Sequence, residues 1–341
     1  MRRIAILNQA TAHPPRHMSK RGLIGTEKAA TKVAAMLLLA STFHLHAVAD
    51  DFPLKKVAPL TWIVDYEPFW SPDGRQIVLI SSRHGGMKVH IMDANSSSHG
   101  SDMRQLTYGD AEDDTPSWSP DGKKIAFVSI RDGVSQIFVM NADGTKVRQL
   151  TNGKAENIHP TWSPDSERIL FNTTYFSGTT AADGRNVPSD NKVIGEQIDK
   201  KMDVATIRPD GTDLKRITTG GGFTYASYSP DARLILHREV HGAASQIFVM
   251  NADGSDDRNV SGEGNIDGWP AWSSDGKRII FSRRVGEAFQ LFVMNRDGSD
   301  VRQLTDALGE FVNPRWSPDG TRILCSRRLN GVNLVIFPAP K

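Results

Sequence analysis

A single cysteine, Cys325, stands in the 341 residues, so no disulfide framework can form within one copy of the chain. A core of this size does not need one. Familiar catalytic signatures are also missing: there is no Gly-x-Ser-x-Gly elbow, no His-Glu-x-x-His pair and no phosphate loop. Basic residues form no stripe and accompany no recognition motif, which argues against a nucleic-acid partner. The apolar runs fall short of the ~20 residues that span a bilayer as a helix. These absences lead to the expectation of a chain with no integral membrane segment in its mature form and no enzymatic activity.

What is present is a repeat. Trp70-Ser71-Pro72-Asp73-Gly74 recurs intact at 118–122 and 316–320, and in variant form at 162–166, 228–232 and 272–276. The six copies are 48, 44, 66, 44 and 44 residues apart, periods that belong to solenoids, propellers or arrays. One period parses into short strands. Ser117 and Trp118 lie in a first strand, and Ser119-Pro120-Asp121-Gly122 forms a turn. Strands follow at 125–128, 136–140 and 147–151, with turns at Arg131-Asp132-Gly133 and Asn141-Ala142-Asp143-Gly144. No segment of the repeat is long enough for a helix. Four short antiparallel strands per period predict an all-β, six-bladed β-propeller. The sixth copy holds three strands, the third near 334–337. Residues 56–61 read like 147–151, so the N-terminal strand is expected to complete the closing blade beside the C-terminal strands.

The turn phrase, the segment 137–144 and the Arg148-Gln149-Leu150-Thr151 ending resemble the repeats of the TolB family, periplasmic propellers of the bacterial Tol-Pal envelope system. The resemblance covers residues 55–341 and implies a protein-binding scaffold whose partner is the peptidoglycan-associated lipoprotein, Pal. Family members carry an α/β domain ahead of the propeller, for which the segment before residue 50 is too short. Similar repeats occur beside peptidase domains and in some polysaccharide lyases. The alternative is therefore a polysaccharide-processing enzyme or carbohydrate-binding propeller that uses its channel mouth.

Residues 1–49 have the basic, apolar and small-residue layout of a secretory signal, ending at Ala47-Val48-Ala49, with Met1 or Met18 as the start. They hold seven Lys or Arg and one acid; the remaining 50–341, read as the propeller, carry 34 basic and 38 acidic residues. The mature chain is thus weakly acidic, and export to the periplasm is the expected localisation.

The repeat separates structure from function. Asp73, Asp121, Asp165, Asp231, Asp275 and Asp319 read as turn formers, the repeat tryptophans as packing between blades, Gln136, Gln246 and Gln290 as repeat structure, and Cys325 as a buried thiol. The copies diverge three residues before each repeat aromatic, at Glu67, Thr115, His159, Tyr225, Trp269 and Asn313, the expected mouth of the channel. Glu67, His159, Tyr225, Trp269 and Asn313 are the inner binding candidates, with Arg83, Arg131, Arg283 and Arg327 around them on the hairpins between strands two and three. Asp65, Glu112, Asp113, Asp114, Asp267 and Glu310 are expected to form an acidic rim. Carboxylates inside and guanidinium groups outside suit a polar protein surface; an ordinary solvated face is the other reading. No cofactor is expected. The acids at 65, 67, 113, 114 and 267 offer at most a loose Ca²⁺ site, His159 is the only histidine of the inner ring, and His237 reads as a packed or hydrogen-bonded core histidine. Extra sequence at 175–202 lengthens the third copy and is either a lid or docking arm over the same face or a tolerated insertion.

Overall fold

The computed structural model describes residues 64–96, 98, 100–176 and 201–340. They form six antiparallel sheets, each a meander with strands in chain order. Blade 1 is Asp65–Trp70, Gln76–Ser81, Lys88–Asp93 and Arg104–Gln105; blade 2 is Glu112–Trp118, Lys124–Arg131, Val134–Asn141 and Arg148–Gln149. Blade 3 is Asn157–Trp162, Ile169–Thr173, Asp203–Ile207 and Lys215–Arg216, and blade 4 is Phe223–Tyr228, Leu234–His241, Ala244–Asn251 and Arg258–Asn259. Blade 5 is Asp267–Trp272, Arg278–Val285, Ala288–Asn295 and Arg302–Gln303; blade 6 is Glu310–Trp316, Arg322–Arg328 and Val332–Pro338. This is an all-β, six-bladed propeller. Among the described residues no helix is long and apolar enough to cross a membrane. Residues 56–61, expected as the last blade's fourth strand, lie outside the described residues, as does most of the 175–202 segment.

Local chemistry accounts for the strand limits. In blade 2 the second and third strands run further than the apolar residues alone indicate, pairing as far as Arg131 opposite Val134. The two-residue loop Asp132-Gly133 has φ of 52° and 74°, the geometry of a tight hairpin whose twist matches its strands. The fourth strand is shorter than expected, because after two paired residues the hydroxyl of Thr151 takes over and accepts the Ile137 N–H at 2.9 Å. Gln136 then ties this corner to the next blade: its carbonyl accepts from Thr151 at 2.7 Å and Asn157 at 3.1 Å.

Each Ser-Pro-Asp-Gly turn, or its variant, closes the same way. The serine hydroxyl donates to the aspartate two residues on at 2.5–2.6 Å, from Ser71 to Asp73 around to Ser317 to Asp319. These bonds hold all six carboxyls below the usual carboxylate range, Asp319 at about 2. The repeat tryptophans Trp70, Trp118, Trp162, Trp272 and Trp316 are buried. The indole N–H groups of Trp162 and Trp272 reach back to the preceding blade, to the Ser117 carbonyl at 3.2 Å and the Ser227 carbonyl at 3.4 Å. Ring closure uses the same device: Trp70 donates to the Arg315 carbonyl at 3.4 Å, and Trp70, Ile77 and Leu79 pack with Leu324 and Leu334. Cys325 is fully buried in the blade 5–6 core, and burial pushes its thiol pKa up.

Candidate binding site at the channel

The six divergent positions share one backbone feature. In every blade the register between first and second strands slips at this point. The residue at the bulge has positive φ: 48° at Glu67, 42° at Thr115, 52° at His159, 54° at Tyr225, 50° at Trp269 and 55° at Asn313. Left-handed backbone is unfavourable by about 1–2 kcal/mol for a residue with a side chain, and bulges re-aim side chains. Six unfavourable bends in one layer mark a site where strain serves placement. Proline follows five of them, at Pro68, Pro116, Pro160, Pro270 and Pro314. Proline inside a strand belongs at an edge or a bulge, so this spacing is a sequence signal for the ring beyond simple divergence.

The ring has two halves. Across blades 3 to 5, His159 stacks on Tyr225 at 3.9 Å between centroids, Tyr225 lies 6.0 Å from Trp269, and Trp269 meets Phe289 edge-on at 5.1 Å. Arg238 caps the Tyr225 ring at 5.2 Å. Across blades 6, 1 and 2 the groups are polar. The Asn313 amide donates to Glu67 at 2.6 Å, and the Tyr66 hydroxyl donates to Asp114. Glu67, Thr115, His159, Tyr225 and Arg315 line a cavity of about 420 Å³ that continues to the prolines of the Ser-Pro-Asp-Gly turns. The residues Thr115, Ser117, His159, Ser227 and Arg315 line this region, and their Oγ1, Oγ, Nδ1, Oγ and Nε atoms have no hydrogen-bond partner among the described residues. Buried polar groups are normally paired, so this wall is prepared for polar contacts.

Electrostatics distinguish the halves. Burial, reinforced by the Asp114 charge, raises Glu67 to about 7, and burial raises Asp114 to about 6. Burial, with help from Arg238, lowers His159 to about 3, so its imidazole is neutral at physiological pH. A carboxyl that holds its proton more tightly when folded contributes stability below its unfolded pKa, about 4.3 for Glu, and that stability is lost as pH rises through 7. Glu67→Gln removes this loss. The variant's gain in Tm over the parent is expected to be larger at pH 8 than at pH 5, measured by calorimetry.

The four arginines do not join the ring. Arg83 pairs with buried Asp65 at 3.2 Å, and Arg283 grips buried Asp267 through two contacts of 2.7 and 2.9 Å. Arg131 lies 4.2 Å over Phe138, and Arg327 donates to the Leu308 carbonyl at 2.9 Å. The expected acidic rim is reduced accordingly: Asp65, Asp113 and Asp267 are buried, and two of them are neutralised within their own blades. Among the described residues, the set close enough to share a cation is elsewhere. It is His237, Glu239 and Asp257 in blade 4, one donor atom from each lying within 4.8 Å of the others. His237 is buried between Phe223 and Phe248 and bonded to Asp257, as a packed core histidine would be.

Six meander blades with divergent side chains gathered on strained bulges define a propeller able to bind a partner or to carry catalysis. The chain belongs to the TolB β-propeller domain family, whose model matches residues 55–179 and 174–337. No curated protein matches it. Among solved structures it is similar to a protein described as TolB from Agrobacterium tumefaciens, at 22% identity over 82% of this chain and 91% of that one, TM-score 0.60. An oligogalacturonate lyase in complex with manganese matches at 14% identity, over 84% and 93% of the two chains, TM-score 0.57. A gluconolactonase, XC5397 from Xanthomonas campestris, matches at 17%, over 83% and 89%, TM-score 0.58. At these identities the likeness is one of fold. The expectation of a chain without enzymatic activity is corrected by these findings: the same fold carries a lyase and a lactonase, and blade 4 contains a His/Glu/Asp cluster that could ligate a metal. Absence of a sequence motif was weak ground for that expectation, because propeller sites are assembled from separate strands.

Proposed function

We propose that the chain is an exported propeller, with residues 1–49 as its leader, that docks an envelope protein on its channel face in the periplasm. The peptidoglycan-associated lipoprotein is the partner its family implies. The observation that carries this reading is the bulge ring, where one structural position holds six different side chains in one strained conformation. The half-buried aromatic ladder His159–Tyr225–Trp269 supplies anchors with little conformational freedom to lose. Glu67 and Asn313 supply orientation from the polar half. Arg83, Arg131, Arg283 and Arg327 act mainly by fixing the hairpins around this face. Trp269→Ala is expected to weaken binding of Pal from the same organism by about 2 kcal/mol, roughly 30-fold, in a calorimetric titration. Absence of saturable binding by the parent protein would refute the partner assignment.

A second reading rests on the cavity itself. Glu67, raised to about 7 by burial and by the nearby Asp114 charge, borders a pocket where Thr115 Oγ1, His159 Nδ1 and Arg315 Nε have no partner among the described residues. Carboxyls poised near neutrality can give and take protons, and a polar pocket with aromatic walls suits an acidic saccharide. Oligogalacturonate turnover or binding that disappears in Glu67→Gln, while Trp269→Ala leaves Pal binding unchanged, would favour this reading over docking.

A further inference from the structure

We propose that His237, Glu239 and Asp257 form a binding site for a zinc-class divalent transition-metal ion within blade 4, separate from the channel residues. His237, Glu239 and His241 alternate along the second strand, Leu234–His241, and therefore share one face. Asp257, just ahead of the fourth strand, reaches the same face: its Oδ1 lies 3.0 Å from His237 Nε2. His241 Nε2 lies 2.9 Å from Glu239 Oε2 at the solvent end of the cluster, outside the three residues whose donor atoms lie within 4.8 Å of one another.

Internal comparison isolates the cluster. The position of His237 is Phe127, Phe171 and Phe281 in blades 2, 3 and 5. The position of Asp257, two residues before the end of the fourth strand, is apolar in the other blades that have one, for example Val147 and Val301. Blade 4 therefore carries metal-ligating groups at two positions that are apolar in those blades, with the Glu239 carboxylate beside them. A hydrogen-bonded core histidine accounts for the His237–Asp257 pair, but not for Glu239, whose carboxylate lies within 4.8 Å of both.

The donor set defines the cation. One imidazole and two carboxylates, with a position left for water, suit zinc and its first-row neighbours, whereas Ca²⁺ takes six to eight oxygens. Ligands about 2.0–2.1 Å from a tetrahedral ion are about 3.3 Å apart, close to the observed His237–Asp257 separation of 3.0 Å. Side-chain exposure rises from 0% at His237 through 14% at Glu239 and 27% at Asp257 to 57% at His241. The cluster is anchored in the core and open to solvent at one end, which gives an ion an entry path. Such an ion would clamp the second strand to the turn before the fourth.

The test uses the full chain without a histidine tag, treated with a chelator, dialysed and titrated with zinc sulfate by calorimetry, with metal content and Tm read in parallel. One zinc per chain and a higher Tm are expected. His237→Phe, which restores the residue of three other blades and so preserves packing, is expected to abolish both effects. Glu239→Gln should weaken binding roughly tenfold or more. A parent protein that takes up no zinc, or His237→Phe protein that binds it as tightly as the parent, overturns the proposal. Neither result depends on Pal binding or on activity at the channel.

Discussion

Arg283→Ala is expected to destabilise the propeller by about 3–5 kcal/mol, measured by chemical denaturation. Arg283 makes two contacts with Asp267, at 2.7 and 2.9 Å, and donates to the Ser261 carbonyl at 2.8 Å. The Asp267 side chain is 0% exposed and that of Arg283 only 15%. Removing the guanidinium therefore strands a carboxylate in the fold with no cation beside it. The pair as a whole need not stabilise strongly, because desolvating two charges offsets much of their attraction. The double substitution Asp267→Asn with Arg283→Leu should accordingly recover much of what Arg283→Ala loses. Arg83→Ala in blade 1 should show a smaller effect, since Arg83 makes a single 3.2 Å contact with Asp65. If Arg283→Ala left stability unchanged but weakened partner binding, the arginine would be a docking contact rather than a brace.

This pair shows where reading the sequence stops. The blade count and the turns were legible because their chemistry is local: a serine two residues ahead of an aspartate forms the same 2.5–2.6 Å bond in all six copies. The core tryptophans were legible from their period alone. Arg283 was not, because its role depends on strand register. Asp267 and Arg283 are directly opposite one another in the first pair of strands of blade 5, and a bulge lies between that pair and the turn that anchors the alignment. A one-residue slip would have placed the two on different faces. The bulge ring was found by divergence between copies. Its left-handed backbone was signalled only by the prolines that follow five of the six residues. The blade 4 cluster was half visible: His237 stood out against phenylalanine, but Asp257 joins it across a third strand, a contact that sequence spacing does not contain.

Gly298→Ala is expected to lower stability by about 2–5 kcal/mol, and comparison with Gly122→Ala separates its two causes. Both glycines end aspartate-glycine turns with positive φ, 90° at Gly298 and 72° at Gly122. Either substitution meets the left-handed backbone penalty of about 1–2 kcal/mol. They differ in what surrounds the added carbon. At Gly122 nothing lies within 4 Å, whereas at Gly298 a Cβ would stand 2.4 Å from the carbonyl oxygen of Val260. That carbonyl belongs to blade 4 and the turn to blade 5, so relief requires the two blades to part. Val260 is held in place by its own N–H bond to the Ile247 carbonyl at 2.9 Å, and its side chain lies in the core shared by the two blades. A Cβ added at Gly254 would stand at the same 2.4 Å from the Ile217 carbonyl oxygen one blade earlier. The turns on this face thus act as spacers that set how closely successive blades approach. Equal losses for Gly298→Ala and Gly122→Ala would show that conformation alone fixes these glycines and that the contact between blades yields freely. A larger loss at Gly298 would make the glycine a determinant of blade spacing, and through it of the geometry of the channel ring.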